Sequence, residues 1–331
     1  MSWANEIDRA VGILRSGGLV AFPTETVYGL GADATNEAAV RRVFAVKGRP
    51  TDDPLIVHVA DVGALLDWAW DISSYAWRLA GHFWPGPLIL ILRRSARVPD
   101  IVTGGLDTVG LSVPAHPMAQ ALLNGFGSGV AAPSANRFGG VSPTTTAHVV
   151  EDLGASVDLV LDGGPCTVGV ESTIVDVSSG SPAILRPGGV TREGIERALA
   201  KPVPVCRGPT ARCPGQLPSH YAPAAQVFLL EAGQVLSKVV ELRSQGLRFC
   251  VLHSSPVEGL RSEIPRLRLP QDPARMARGL YAALRELDRR GFECVVAVRP
   301  PEAGLGLAVV DRLSRAAGPR HPRDATEITA R

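Results

Sequence analysis

The string "KGRPTDDPLIVH" places Lys47 at the expected end of a helix and Arg49 two residues later, in an extended segment before a proline. Two cations so spaced can converge on one anion. The guanidinium offers a planar fork of donors and the ammonium a mobile point charge, which is what an oligophosphate requires. A helix C-terminus favours any cation, so the pair also reads as a helix cap plus a solvated arginine, and neither residue is expected in the core. His58 follows within an apolar strand, where a histidine is more often packed and satisfied than catalytic.

Three further stretches carry polar groups at strand ends. In "APSANRFGGVSPT", Ser134, Asn136 and Ser142 sit in a glycine-containing turn after an apolar run. Its hydroxyls and free backbone N–H groups suit a phosphate or a sugar, or an Asx turn that satisfies itself. In "FPTETVYGLG", Thr24 and Thr26 flank Glu25, an arrangement that either stabilises its own turn or holds something polar. Gly29 and Gly31 are expected to let the backbone bend there. In "GVESTIVDV" and "ILRPGGVT", Ser172 enters a strand and Arg186 leaves one, with Glu171 available to pair with a cation and given no catalytic role. Other chemistries lack their motifs. There is no G-x-x-x-x-G-K-[ST] loop, no G-x-G-x-x-G after a strand, no G-x-S-x-G elbow, and no clustered His, Cys or Asp set that predicts a protein-built metal site.

The elements that must position these residues follow from the hydrophobic pattern. Asn5 and Asn36 each precede a helical repeat, the second ending near Lys47. Short apolar runs at Leu19–Phe22, "PLIVHVA", "PLILIL", "TVGLSV", "GVAAP", "DLVLD", "STIVDV" and "AILR" predict strands, with helices at Thr146–Leu153 and Arg192–Leu199. The expected fold is α/β, with a mixed sheet and helices over residues 1–200. A proline-rich linker is expected over 201–225, then a smaller Rossmann-like α/β domain with a parallel sheet over 226–319, and a loose tail over 320–331. The chain has 331 residues, 45% hydrophobic and 20% charged, and a net charge of +2, which argues against nucleic-acid binding by bulk electrostatics. Five scattered cysteines without a C-x-x-C pair, no signal-peptide pattern and no apolar run long enough to span a bilayer predict a cytoplasmic protein with no membrane partner.

Taken in order, "PTETVYGLG", "KGRP" followed by "DDPLIVH", "WPGPLILIL", "AAPSAN", "GVESTIVD" and "LRPGG" resemble the YrdC-like family. The linker string "PGQLPSHYAP" and the α/β tail resemble its two-domain threonylcarbamoyl-AMP synthases. The resemblance implies a YrdC-like twisted mixed sheet with a concave basic cavity. It also implies a reaction in which L-threonine, bicarbonate and ATP, accompanied by Mg²⁺, give threonylcarbamoyl-AMP, pyrophosphate and water, the product passing to a tRNA threonylcarbamoyl-transfer complex. By motif it implies Thr24, His58 and Ser172 around threonine, Lys47 and Arg49 as catalytic cations, and these two with Ser134, Asn136, Ser142 and Arg186 around the nucleotide. Tyr221 belongs to the linker that would cover the site. "VGLSVPAHP" has Ser112 where many relatives carry arginine, which implies a less charged cavity. The competing readings are a carbamoyl-adenylating module and a non-catalytic RNA-binding protein.

Overall fold

Ten strands follow one another in the first part of the chain: β1 (Val20–Phe22), β2 (Gly29–Asp33), β3 (Ile56–His58), β4 (Ala69–Trp70), β5 (Leu88–Arg94), β6 (Thr108–Ser112), β7 (Val130–Ala131), β8 (Leu159–Val160), β9 (Thr173–Asp176) and β10 (Ala183–Arg186). They form one sheet in the order β10-β9-β5-β6-β3-β7-β2-β1-β8, with β4 alongside β5. The sheet is mixed: β3 with β6, β5 with β9 and β1 with β8 run parallel, and the other pairs antiparallel. The central β5 reads as an unbroken apolar run because Leu88 to Leu92 are buried on both faces. The structure is a computed structural model and describes residues 3–206 and 220–319.

Helices cover the sheet where the periodicity predicts them. The helix Glu37–Lys47 begins at Asn36, whose side chain accepts from Ala39 N–H, and ends at Gly48 in the left-handed region (φ 66°), so Lys47 is fixed at its last turn. Ile7, Val11 and Leu14 of the helix Trp3–Arg15 share one apolar cluster with Leu122, Leu123 and Phe126 of the helix Pro117–Phe126. One expectation changes. Gly29 and Gly31 lie within β2, where a Cβ on Gly31 would stand 2.7 Å from Val130 Cγ1 and 2.8 Å from the Phe22 ring. Their smallness serves close packing in the sheet, not a bend.

The chain divides into two units, Met1–Phe138 with Ser142–Gln216 and Gly139–Val141 with Leu217–Arg331. Residues 201–206, where the linker is expected to begin, continue the first unit: Val203 is fully buried, Ile184 N–H of β10 donates to Pro204 O at 2.8 Å, and Cys206 N–H donates back to Ile184 O at 2.9 Å. Residues 207–219 of the expected linker and the tail, 320–331, lie outside the described residues, and 220–225 belong to the second unit. The second unit holds four parallel strands, β11 (Gln226–Leu230), β12 (Phe249–His253), β13 (Arg266–Arg268) and β14 (Cys294–Val298), in the order β11-β14-β12-β13. The helices Val235–Ser244, Pro273–Arg289 and Gly306–Ala316 intervene and follow, which is the expected Rossmann-like alternation. Among the described residues no helix is long and apolar enough to cross a membrane.

Candidate active site

Lys47 is only 3% exposed, and its Nζ donates to the backbone oxygens of Ser134, at 2.6 Å, and of Asn136. The same turn is closed from within, Ser134 Oγ donating to Asn136 Oδ1 at 2.5 Å and Asn136 Nδ2 to Arg137 O at 2.7 Å. The Lys47–Arg49 pair and the Ser134–Asn136 (S-x-N) turn are thus joined by one buried ammonium. Burial pushes its pKa well below that of an ordinary lysine, and the charge of Arg49 adds to the effect. Arg49 is buried beside it, its guanidinium 5.9 Å from the centre of the Phe138 ring, while Phe138 N–H donates to Lys47 O. It donates to Pro54 O at 2.8 Å and lies 3.0 Å from Asp53 Oδ2, an ion pair by distance though not aligned as a hydrogen bond. Burial raises the Asp53 pKa against the opposing pull of Arg49. Neither cation is the solvated surface group expected of a helix end. Carbonyl acceptors and one carboxylate let the interior hold both charges.

The "FPTETVYGLG" turn does stabilise itself. Thr24 Oγ1 donates to Val27 O at 2.7 Å and accepts from Thr26 N–H at 3.1 Å and Val27 N–H at 3.2 Å. The rest of the turn binds distant segments. Glu25 accepts from Ala115 N–H at Oε2 (2.8 Å) and from Val168 N–H at its backbone oxygen (2.7 Å), and burial raises its pKa while the backbone donors oppose the rise. Tyr28 N–H donates to Pro143 O, its carbonyl accepts from Ala135 N–H, and its hydroxyl donates to Gly164 O at 2.8 Å. Glu25 and Tyr28 therefore fasten this turn to the segments carrying Ser134, Ser142 and Ser172. A carboxylate and a phenol amid hydroxyls just after a strand were the available signal for such anchors.

Ser142 and Ser172 are brought into one region by Glu171. Ser142 Oγ donates to Glu171 Oε1 at 2.6 Å, both residues being buried. Arg186 is buried and reaches back, its NH2 group donating to Ser172 O at 2.9 Å. Gly188 permits this approach, because a Cβ there would land on the backbone of Glu171, Ser172 and Thr173.

His58 stands apart from these hydrogen bonds. Its ring packs edge-on to Phe22 at 5.8 Å, its Nδ1 is buried without a hydrogen bond, and burial lowers its pKa from 6.5 to about 4. It pairs in register with Ser112 of β6, itself 2% exposed. Tyr221 lies in the second unit with φ 58°, buried, stacked on Tyr281 at 6.0 Å and under the Arg312 guanidinium at 4.9 Å. Among the described residues no group of three or more His, Cys, Asp or Glu is placed to hold a metal ion.

A mixed sheet carrying buried cations against an S-x-N turn defines a YrdC-like α/β protein. The family profile described as telomere recombination (Sua5, YciO and YrdC) matches residues 12–188, and the one described as the threonylcarbamoyl-AMP synthase C-terminal domain matches residues 190–318. The chain is 43% identical to a threonylcarbamoyl-AMP synthase of Pyrococcus abyssi over 94% of each chain. It is 40% identical to one of Bacillus subtilis over 95% of this chain and 94% of that one. The crystal structure of P. abyssi Sua5 complexed with L-threonine superposes with a TM-score of 0.88 at 41% identity, covering 95% of this chain and 94% of that one. The chain belongs to the threonylcarbamoyl-AMP synthase family of enzymes, in its two-part form.

Proposed function

We propose that this chain condenses L-threonine, bicarbonate and ATP into threonylcarbamoyl-AMP, pyrophosphate and water, for later transfer of the threonylcarbamoyl group to tRNA. The observation that carries the reading is its likeness to threonylcarbamoyl-AMP synthases along both parts of the chain. The chemistry of the site supports it. The threonine amine loses a proton and attacks a carbon dioxide equivalent, and the carbamate oxygen then displaces pyrophosphate from the α-phosphorus of ATP. Negative charge grows on phosphate oxygens in that step, and fixed cations stabilise it without a covalent enzyme intermediate.

Lys47 and Arg49 fill that role. The Lys47 ammonium is held by two carbonyls and makes no ion pair with a carboxylate among the described residues, and an oligophosphate would supply the counter-charge that offsets its burial. Ser134, Asn136, Ser142 and Arg186 would line the nucleotide side, with Thr24, His58 and Ser172 towards threonine. The unpaired Nδ1 of His58 is an acceptor suited to the ammonium or hydroxyl of that substrate. With cations on the nucleotide side, the donor set fits a magnesium–ATP complex whose metal is held by phosphates and water. Mg²⁺ would neutralise phosphate charge and orient the leaving pyrophosphate.

Pyrophosphate release from ATP with bicarbonate present tests the assignment. It should require L-threonine. Release that is indifferent to threonine would favour another carbamoyl-adenylating activity, and no release at all would favour a binding protein.

A further inference from the structure

In the second unit, β12 ends at His253, and the edge strand β13 carries Arg266 and Arg268. His253 and Arg268 are register partners in a parallel pair and Arg266 lies two residues back, so the three side chains share one face. Past the strand end, Pro256, Val257 and Leu260 join them in lining a cavity of about 350 Å³. That size suits a small ligand, and the carboxyl ends of parallel strands are where open α/β sheets hold ligands.

The polar groups of this cavity are underused. His253 is 8% exposed, and its Nδ1 lies 3.0 Å from Ser255 O, so that nitrogen carries the proton and donates. Its Nε2 is buried with no hydrogen bond and, in the neutral ring, is an acceptor. Arg266 donates to the backbone oxygen of Arg261 at 3.1 Å and pairs with no carboxylate among the described residues. Glu263 lies 3.9 Å from Arg261 instead. The Arg268 side chain makes no hydrogen bond or ion pair among the described residues. Two guanidinium groups on one strand face without a counter-charge repel each other, and a bound anion removes that cost.

We infer that this cavity binds inorganic phosphate, with Arg266 and Arg268 taking its oxygens and the P–OH of the hydrogen phosphate ion donating to His253 Nε2, a proton that a phosphate monoester has largely lost at neutral pH. A fully ionised oxyanion such as sulfate satisfies the arginines but offers no proton to that nitrogen while the ring is neutral.

Calorimetric titration of the full chain with inorganic phosphate, and separately with sulfate, tests both halves of the inference. Saturable phosphate binding, tighter than sulfate binding, is expected, and Arg266→Ala/Arg268→Ala should weaken it about tenfold or more. Both arginines are exposed, so the double variant keeps its core, which circular dichroism checks. His253→Gln should erase the preference for phosphate over sulfate. An isotherm unchanged in the double variant, no saturable phosphate binding by the wild type, or equal affinity for the two anions in the wild type would overturn the inference.

Discussion

Lys47→Ala leaves the backbone oxygens of Ser134 and Asn136 without their buried donor. The variant should therefore lose about 1–3 kcal/mol of stability as well as nearly all turnover. Urea unfolding measured beside pyrophosphate release checks this, and a variant with unchanged stability would remove Lys47 as a strut of the S-x-N turn. His58 gives a pH signature. Its folded pKa, about 4, lies below the unfolded value of 6.5, so the unfolded chain binds the extra proton between them. Its contribution is whole above 6.5 and is lost as pH falls towards 4. Against His58→Gln, the wild type should lose at most about 2 kcal/mol between about pH 7 and about pH 5, less in so far as the half-buried ring is screened. A stability gap between the two proteins that does not move with pH would contradict it. The residue types of the site were legible in the sequence. Their partners were not, because the ammonium of Lys47 meets carbonyls 87 and 89 positions away and no local spacing encodes that contact.

Among the elements that carry the site, the turn after β10 is tightly constrained, a Cβ on Gly188 falling on Glu171 O. Gly188→Ala should push the Glu171–Thr173 segment away from Arg186, costing about 1–3 kcal/mol and lowering turnover, because backbone cannot yield as a flexible side chain does. Thermal unfolding and turnover of that variant check it, and wild-type values for both would show that the segment has slack. Strands built from apolar runs, such as β5 and β9, and helices with clear caps, such as Glu37–Lys47 and Pro273–Arg289, could be read directly from the sequence. β2 could not, since its glycines look like turn residues until the Phe22 ring and Val130 are seen to occupy the space of a side chain. β13 is a polar edge strand, Arg-Leu-Arg, whose composition carries no strand signal. The helices Ser74–Phe83 and Pro117–Phe126 are masked in the sequence by the strand runs around them, although each buries an apolar face.

At the scale of the whole molecule, the family resemblance rested on the order of several weak motifs, each with an ordinary structural explanation. The structure shows what joins them: the turn at Thr24 to Tyr28, the Ser134–Asn136 turn, Ser142 and the Glu171–Ser172 segment are tied by shared hydrogen bonds within the first unit. In the proposed reaction, threonine and bicarbonate end in one adenylate. The most direct measurement incubates the full chain with ATP, Mg²⁺, carbon-labelled bicarbonate and differently labelled L-threonine, and isolates the nucleotide product. One AMP adduct carrying both labels in equal amounts is expected. An adduct with the bicarbonate label and no threonine, or unmodified AMP alone, would contradict it.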